Sequence, residues 1–224
     1  MKIKLNFKKI FSGSLAILLG PLAFQLFAAD AFTQQEIKSS PYLQSVLKRK
    51  GQRYDTTKFR KAGPYRIALA AQGTSNSWSA LFDEHAYWYT EELGKGVISE
   101  LLYADAQASA DKQVPQVEDL LAQEPDALIL VPMGAAALTA PVERAMAQGV
   151  PVVLCASAVE TDNFVTEIGT NLYASGAGLA KYLAEKLNGK GRVLMMTGIP
   201  GVSTSDVMEA GGKATFKKYS GIDL

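Results

Sequence analysis

Residues 127–155, ALILVPMGAAALTAPVERAMAQGVPVVLC, contain two short apolar runs separated by a longer amphipathic segment. The runs Ala127–Val131 and Pro151–Cys155 each predict a strand. Between them Leu138–Gln148 has helical spacing, and Gly149 follows as the expected C-cap. Both runs are continuously apolar rather than alternating, which is typical of strands buried on both faces of a parallel sheet. This stretch therefore predicts a right-handed strand–helix–strand unit.

The alternation of strand and helix continues on both sides of this unit. The further predicted strands are Tyr65–Ala71, Val97–Ala104, Val165–Gly169 and Arg192–Thr197. The further predicted helices are Trp78–Leu93, Asp111–Gln123, Ala174–Leu187 and Ser205–Tyr219. Strict alternation predicts an α/β fold in which parallel sheets carry helices on both faces. Since ligands of such sheets bind beyond the carboxyl ends of the strands, the loops that follow the strands are expected to hold any binding site.

The composition excludes several classes of protein and site. The 224 residues are 48% hydrophobic and 20% charged, which is an ordinary globular balance. With 23 Lys and Arg against 22 Asp and Glu, the chain lacks the basic excess that is typical of nucleic-acid-binding proteins. One cysteine, Cys155, cannot form an internal disulfide, and one histidine, His85, argues against histidine-rich metal sites and most histidine-based catalytic pairs. We therefore expect no metal, no cofactor and no catalytic residue.

The N-terminus has the layout of a secretory signal peptide. Four lysines within the first nine residues precede the apolar run Ile10–Phe27, and Ala29-Asp30-Ala31 follows as a cleavage pattern. We predict that residues 1–31 are removed on export to the periplasm and that residues 32–63 form a weakly ordered linker. An uncleaved membrane anchor is the alternative, because the apolar run approaches spanning length. Pro21 and the small residues after the run favour cleavage.

Five stretches of the chain, taken in order, match the pattern of one family. They are RIALAAQGTSNSWSALF at 66–82, ADAQASADKQVPQVEDLLAQEPDALILVP at 104–132, AMAQGVPVVLCAS at 145–157, IGTNLYASGAGLAKYLAEKL at 168–187, and RVLMMTGIPGVSTSD at 192–206. In these stretches the chain resembles the ribose- and galactofuranose-type substrate-binding proteins of bacterial ABC sugar importers. The resemblance covers roughly residues 64–219 without a break, which is more specific than any single motif.

The resemblance implies a two-lobed fold of the type I periplasmic binding protein class. In this family two α/β lobes, each with a parallel sheet, close over one small polar ligand. We expect the first lobe at residues 64–170 and the start of the second at residues 171–224, with the hinge at Thr170 and Asn171. Chains of the family are longer, so the resemblance also implies that the second lobe is incomplete here.

The first loop carries the residues that a sugar site needs. A sugar offers hydroxyl groups and an apolar ring face, so its site needs planar polar groups and an aromatic platform. Gln72, Ser75 and Asn76 supply the polar groups, and Trp78 follows them. The resemblance aligns Asn76 with a ligand-contacting asparagine and Trp78 with a stacking aromatic residue. The alternative is that Trp78 packs into the core at the start of its helix.

Two positions depart from the ribose-type pattern. Ribose-type members carry an Asp-Arg pair after the fourth strand, where this chain has Ala156-Ser157, and an arginine where this chain has Asp206. Without the charged pair, ribose itself fits poorly. A pocket that contains Ser157 and Asp206 is neutral or mildly acidic, which favours a neutral polyol, a different sugar or a cationic solute over an anion.

The sequence thus predicts a non-enzymatic solute-binding protein of an ABC importer, monomeric, with a permease in the inner membrane as its partner. A sensor protein of the same fold that presents its closed form to a chemoreceptor or kinase, and a truncated remnant without function, stay open as alternatives. A transcription repressor would need a DNA-binding segment and no export signal. An enzyme would need a cofactor loop or an acid–base constellation, and the sequence shows neither.

Three further expectations concern packing. The small residues Gly176-Ala177-Gly178 should allow a helix to approach a sheet closely. The acidic pair Asp83-Glu84 should lie on a solvated helix face, whereas His85 should be packed. Cys155, at the end of an apolar strand, should be a buried thiol.

Overall fold

The computed structural model describes residues 54–224, which belong to one compact unit. The predicted signal peptide and most of the predicted linker lie outside the described residues. Within residues 54–224, no helix is both long enough and apolar enough to cross a bilayer.

The main sheet contains five parallel strands. They are β1 (Tyr65–Ala71), β2 (Ile98–Asp105), β3 (Ala127–Leu130), β4 (Val152–Cys155) and β5 (Thr166–Ile168). Their order is β2-β1-β3-β4-β5, and every neighbouring pair is parallel. All five strands form where the apolar runs predict them. Because the strands are parallel, the loops that follow them meet at one edge of the sheet, which we call the carboxyl edge.

Five helices accompany the strands. They are α1 (Ser77–Trp88), α2 (Ala110–Leu121), α3 (Ala135–Ala147), α4 (Leu172–Lys186) and α5 (Ser203–Phe216). Short turns of 3₁₀ helix (Thr57–Phe59) and π helix (Tyr89–Leu93) complete the set in the described chain. Side chains of Asn76, Ser109 and Asn171 accept hydrogen bonds from backbone amides of the first turns of α1, α2 and α4. Such N-caps explain why these three helices begin where they do.

Helices cover both faces of the main sheet, as the alternating pattern predicts. Side chains of successive strand residues point to opposite faces. Ala68 and Leu102 are paired across β1 and β2, and both join the core cluster that also contains buried residues of α2 and α3. Leu69 and Tyr103, the next pair, lie on the other face, where α1 is anchored through Asp83.

Asp83 corrects the sequence-based expectation of a solvated acidic face. Its side chain is buried, and the Tyr103 hydroxyl donates a 2.7 Å hydrogen bond to Oδ2. Burial raises the pKa of the Asp83 carboxyl above its ordinary value, and the hydrogen bond from Tyr103 only partly opposes this rise. His85, two residues along the same helix, is exposed rather than packed. In the helix Asp83 lies on the side that faces the sheet, whereas Glu84 and His85 lie on the exposed side.

The raised pKa of Asp83 predicts a pH-dependent stability. The folded protein binds the proton of Asp83 more tightly than the unfolded chain does. The free energy of unfolding therefore decreases as pH rises from the pKa in the unfolded chain, about 3.9, through the higher pKa in the folded protein. Asp83→Asn keeps an acceptor for the Tyr103 hydroxyl and removes the titration. We expect the variant to be more stable than wild type at pH 7 and to lack that slope in urea unfolding between pH 4 and 7. Asp119→Asn, the same change at an exposed carboxylate of α2, controls for net charge; equal slopes in wild type and Asp83→Asn would contradict the assignment.

The second half of the described chain carries a small separate sheet. Strands β6 (Lys190–Arg192) and β7 (Gly221–Asp223) pair in parallel. The predicted strand Arg192–Thr197 therefore overlaps β6 only at Arg192, and β7 was not predicted. A strand needs a partner strand for its hydrogen bonds. The Val193 amide still donates a 2.8 Å hydrogen bond to the Asp223 carbonyl, but beyond Val193 the described residues provide no partner strand.

Residues 193–197 keep the alternation of a strand without its ladder. Val193 and Met195 pack against the core cluster formed by Ala180, Ala184 and Phe216. Leu194 and Met196 point away from it and are 90% and 91% exposed. The apolar run that predicted a strand buried on both faces is thus covered on one face only within the described chain.

The small residues of α4 pack against a helix and not against a sheet, which corrects the prediction. A Cβ atom added at Gly176 would overlap the main-chain carbonyl of Met208 in α5, and one added at Gly211 would overlap that of Tyr173 in α4. The backbones of α4 and α5 are therefore in direct contact, and a glycine in each helix makes this contact possible. Gly178 faces open space and takes no part in this contact.

Candidate functional site

The loop between β1 and α1 lies at the carboxyl edge of the main sheet and touches the loop after β2. The Ala108 amide donates a 2.8 Å hydrogen bond to the Gln72 carbonyl. Gly73 has φ of +115°, and a Cβ atom added there would come within 2.9 Å of the Ala108 nitrogen and of Asp105 Oδ1. The chain can make this turn, so close to the neighbouring loop, only with glycine.

Asn76 has a local structural role in addition to its predicted one. Its Oδ1 accepts a 3.0 Å hydrogen bond from the Ser79 amide and so caps α1. The oxygen of this amide side chain is therefore occupied, and its NH₂ group is the part that remains for a ligand. Ser75, beside it, is exposed, and Gln72 is half-buried.

Trp78 is not a core residue. Its side chain is 48% exposed and stacks on Phe82 with ring centroids 5.5 Å apart. The alternative that it packs into the core is wrong. A rigid aromatic surface is accessible at the start of α1, directly after the polar loop, which is the arrangement that stacking against a sugar ring requires.

The segment that leads into α5 is docked on the carboxyl edge of the main sheet. The Ala158 amide, after β4, donates a 2.7 Å hydrogen bond to Ser203 Oγ, and the Ala135 amide, after β3, donates a 3.0 Å hydrogen bond to the Gly201 carbonyl. Between these two contacts Val202 is buried in a small cluster that also contains Met133. Sequence reasoning missed all three contacts, because nothing local marks Ser203 or Val202 as partners of residues more than forty positions away.

Ser157 and Asp206, the two predicted site residues on this side, differ in accessibility. Ser157 is buried, next to the Ala158 amide that Ser203 occupies. Asp206 is exposed in the first turn of α5, and its Oδ2 accepts a 3.1 Å hydrogen bond from the Gly201 amide. A carboxylate at a helix N-terminus is favourably placed with respect to the helix dipole. In this conformation Asp206 thus holds the turn that docks on the main sheet.

The predicted hinge residues lie between β5 and α4. Thr170 and Asn171 are both exposed. Asn171 Oδ1 accepts a 3.0 Å hydrogen bond from the Ala174 amide, and the Leu172 amide donates to the Thr170 carbonyl at 2.9 Å. Rotation about the backbone ahead of Asn171 would leave the cap of α4 intact.

A separate groove of about 430 Å³ lies between α4, α5 and residues 193–198. Its lining is mostly apolar, with Leu179, Met195 and Met208 among the contributors, and none of residues 72–78 reaches it. Apolar walls match a polar solute poorly, because its hydroxyl groups would lose their hydrogen bonds to water without replacement. The carboxyl edge of the main sheet is therefore the better candidate site.

Two observations bear on thiol and metal chemistry in residues 54–224. Cys155 is a buried free thiol, as expected, and burial raises its pKa above the ordinary value, which disfavours the reactive thiolate. The same residues contain no group of three or more His, Cys, Asp or Glu side chains that could hold a metal ion.

Comparison with known proteins agrees with this architecture. Over 105 residues the chain is 34% identical to the ribose import binding protein of Bacillus subtilis, covering 47% of this chain and 34% of that protein. Over 124 residues it is 29% identical to the xylitol-binding protein of Mycolicibacterium smegmatis, covering 55% and 33%. The solved fructose-binding periplasmic domain of a hybrid two component system superposes with a TM-score of 0.65 at 26% identity, covering 71% of this chain and 52% of that one.

The chain thus spans about a third of the length of the first two relatives and about half of the third. The parallel-sheet α/β fold that the sequence predicts is confirmed by the observed sheets and by this superposition. Residues 67–224, more than half of the chain, match the family model described as periplasmic binding protein domain. The protein is therefore a member of the periplasmic binding protein family, whose members bind solutes and are not enzymes.

Proposed function

We propose that this protein captures a sugar, a polyol or a similar small polar solute outside the cytoplasm and delivers it to an ABC permease in the inner membrane. The observation that carries the proposal is the half-exposed ring of Trp78 beside the polar loop 72–76, at the carboxyl edge of a parallel sheet. Polar groups next to an aromatic face match the two kinds of surface on a sugar.

Each candidate residue has a defined part in the proposed site. The ring of Trp78 stacks on the apolar face of the solute, and Gln72, Ser75 and the NH₂ group of Asn76 bind its hydroxyl groups. Ser157, which follows β4 in the first lobe, and Asp206, at the start of α5 in the second, complete the site. The acidic Asp206 disfavours anions, so neutral or cationic solutes fit best. The names of the three relatives, for ribose, xylitol and fructose, all refer to neutral polyhydroxylated molecules.

The proposed mechanism is closure of two lobes about a hinge. Residues 64–170 form the first lobe and residues 171–224 belong to the second, with Thr170 and Asn171 between them. A solute that contacts both lobes does so only in the closed state, and it shifts the equilibrium by its difference in affinity for the two states. The contacts of Gly201 and Ser203 with the main sheet are the kind of contacts that a closed state makes.

Export and partner follow from the same proposal. Residues 1–31 act as a cleavable signal peptide, the mature protein is a periplasmic monomer, and the closed form is what the permease recognises. No bond of the solute is made or broken, since the protein supplies binding groups rather than an acid–base pair or a nucleophile.

A sensor role is the second candidate. The solved relative with 26% identity is a fructose-binding periplasmic domain of a hybrid two component system and not a transporter component. The proposed cleft would be identical in both roles, and the difference would lie in the protein that recognises the closed form. Binding to a purified permease but not to a sensor kinase would separate them.

Solute titration followed by the fluorescence of the two tryptophans tests the proposal. We expect at least one of ribose, xylitol, fructose and myo-inositol to change the intrinsic fluorescence. Trp78→Ala should weaken that solute's binding about two- to tenfold, because an aromatic contact contributes about 0.5–1.5 kcal/mol.

Trp88→Ala is the matched control. Trp88 is 52% exposed at the other end of α1 and lies outside the polar loop, so its removal should leave affinity unchanged. Calorimetric titration measures affinity in both variants without relying on the deleted fluorophore. Equal losses in the two variants, or no binding of any solute by wild type, would contradict the proposed site.

A further inference from the structure

The side chain of Gln113 is a buried amide beneath the carboxyl edge of the main sheet. It projects from α2, is fully buried, and shares that helix with the core residues Val117 and Leu120. An amide in such surroundings is tolerated only when its hydrogen bonds are made, since an unsatisfied one costs several kcal/mol.

The amide binds four main-chain groups at the ends of two strands. Nε2 donates to the Val131 carbonyl at 2.9 Å and lies 3.3 and 3.4 Å from the carbonyls of Ala71 and Ala70. Oε1 accepts a 2.8 Å hydrogen bond from the Met133 amide. A neutral primary amide has two donor hydrogens and a carbonyl acceptor, which matches this mixture of carbonyls and N–H.

These bonds lie where β1 and β3 cease to pair. The last register pair of these strands is Ala70 with Leu130, and the Val131 amide still donates to the Ala70 carbonyl at 3.1 Å. Beyond that point the two chains separate into their loops, and Gln113 supplies the bonds that the ladder no longer makes. Its amide therefore bridges the two strand ends where they diverge.

Both loops that leave this point belong to the candidate site. The chain after Ala71 continues directly into Gln72–Asn76, and the chain after Val131 leads through Met133, which packs against Val202 of the docked segment. A change in the separation of the two strand ends would move the solute-binding loop relative to the segment that closes over it.

We propose that Gln113 is a positioning residue for the solute site, acting through the loops after β1 and β3 and not by contact with the solute. The inference deepens the proposed function and rests on it where solute affinity is concerned. It also makes a claim about the loops themselves that is independent of any solute.

Gln113→Leu tests the affinity claim, with Leu120→Ala as its matched control. Both changes disturb a buried side chain of α2, but the Leu120 side chain has no group that could form a hydrogen bond to a strand end. At a temperature where both variants are fully folded by circular dichroism, we expect Gln113→Leu to weaken binding of the best solute of the panel at least tenfold. Leu120→Ala should stay within about twofold of wild type. Similar affinities in the two variants would overturn the proposal.

Gln113→Glu provides a rescue within one variant. A carboxylate at this position would face carbonyl oxygens, whereas a protonated carboxyl again donates one hydrogen bond. Relative to wild type at the same pH, affinity should therefore recover as pH is lowered. A constant ratio across pH would mean that the donors of the amide are not what positions the loops.

Hydrogen exchange on the unliganded full chain separates this proposal from the proposed function. Gln113→Leu should speed exchange about tenfold or more in residues 72–76 and 131–135, whereas Leu120→Ala should not single out these segments. If wild type binds no solute of the panel, the proposed function fails while exchange still decides the role of Gln113. If exchange in both segments is unchanged by Gln113→Leu, the positioning role is overturned even where solute binds.

Discussion

Gly176→Ala is expected to lower the free energy of unfolding by about 3 kcal/mol, the upper part of the range for overpacked cores. The new methyl group would overlap the Met208 carbonyl and lie 3.2 Å from the Gly212 nitrogen. Main-chain atoms cannot rotate aside as a flexible side chain can, so α4 and α5 would have to move apart. The contact is reciprocal, because Gly211 faces the Tyr173 carbonyl in the same way, and separation would open both sides of it.

The matched control lies two residues further along α4. Gly178→Ala places its methyl group in open space, and replacing an exposed mid-helix glycine with alanine stabilises a helix by up to about 1 kcal/mol. Urea unfolding followed by circular dichroism should therefore give changes of opposite sign for the two variants. Equal stabilities would mean that α4 and α5 do not approach each other at Gly176.

Gly73→Ala should damage both stability and solute binding. Alanine is strained at φ of +115°, which costs about 1–3 kcal/mol, and its Cβ would lie 2.9 Å from the Ala108 nitrogen, Asp105 Oδ1 and the Gln107 Cα atom. We expect a total loss of about 3 kcal/mol or more, because overpacking adds to the strain. The loop must also shift to relieve the contact, which displaces Gln72 and Asn76, so affinity for a solute of the panel should fall by more than tenfold.

Gly96→Ala isolates the part of this effect that comes from close approach. Gly96 also has a positive φ, +83°, but a Cβ atom there meets nothing within 4 Å. Its substitution should therefore carry the backbone strain alone and leave solute affinity unchanged. Thermal unfolding and calorimetric titration of both variants measure the difference, and a Gly73→Ala protein that matches Gly96→Ala in both would refute the tight loop contact.

The sequence was sufficient to predict the elements of the main sheet. Ala127–Leu130 and Val152–Cys155 form strands where continuous apolar runs stand, because strands buried on both faces have no polar side to show. Asn76 is both the N-cap of α1 and a candidate site residue. The sequence assigned it only the second role, although an asparagine before a helical pattern is also an N-cap signal.

Contacts between distant residues were beyond the reach of such patterns. Apolar periodicity places Trp78 at the start of a helix but does not say which of its faces is covered, and the structure leaves the ring half-exposed. The strand predicted at Arg192–Thr197 is hydrogen-bonded to a neighbour only as far as β7 extends beside it, because a strand forms only where a partner strand is present.

The sequence by itself determined the strands and helices of the main sheet and the family, because each rests on local periodicity, chain order or motif. Only the tertiary structure shows that Asp83 is buried against Tyr103 and that the backbone of α5 contacts Gly176. The same is true of the Gln113 bridge between the ends of β1 and β3 and of the hydrogen bond between Ser203 and the Ala158 amide. The hydrogen bonds among these contacts join residues 18 to 45 positions apart in the sequence. Polar side chains such as these could equally well face solvent, so only the packing of the whole chain, which places their partners next to them, decides that they are buried.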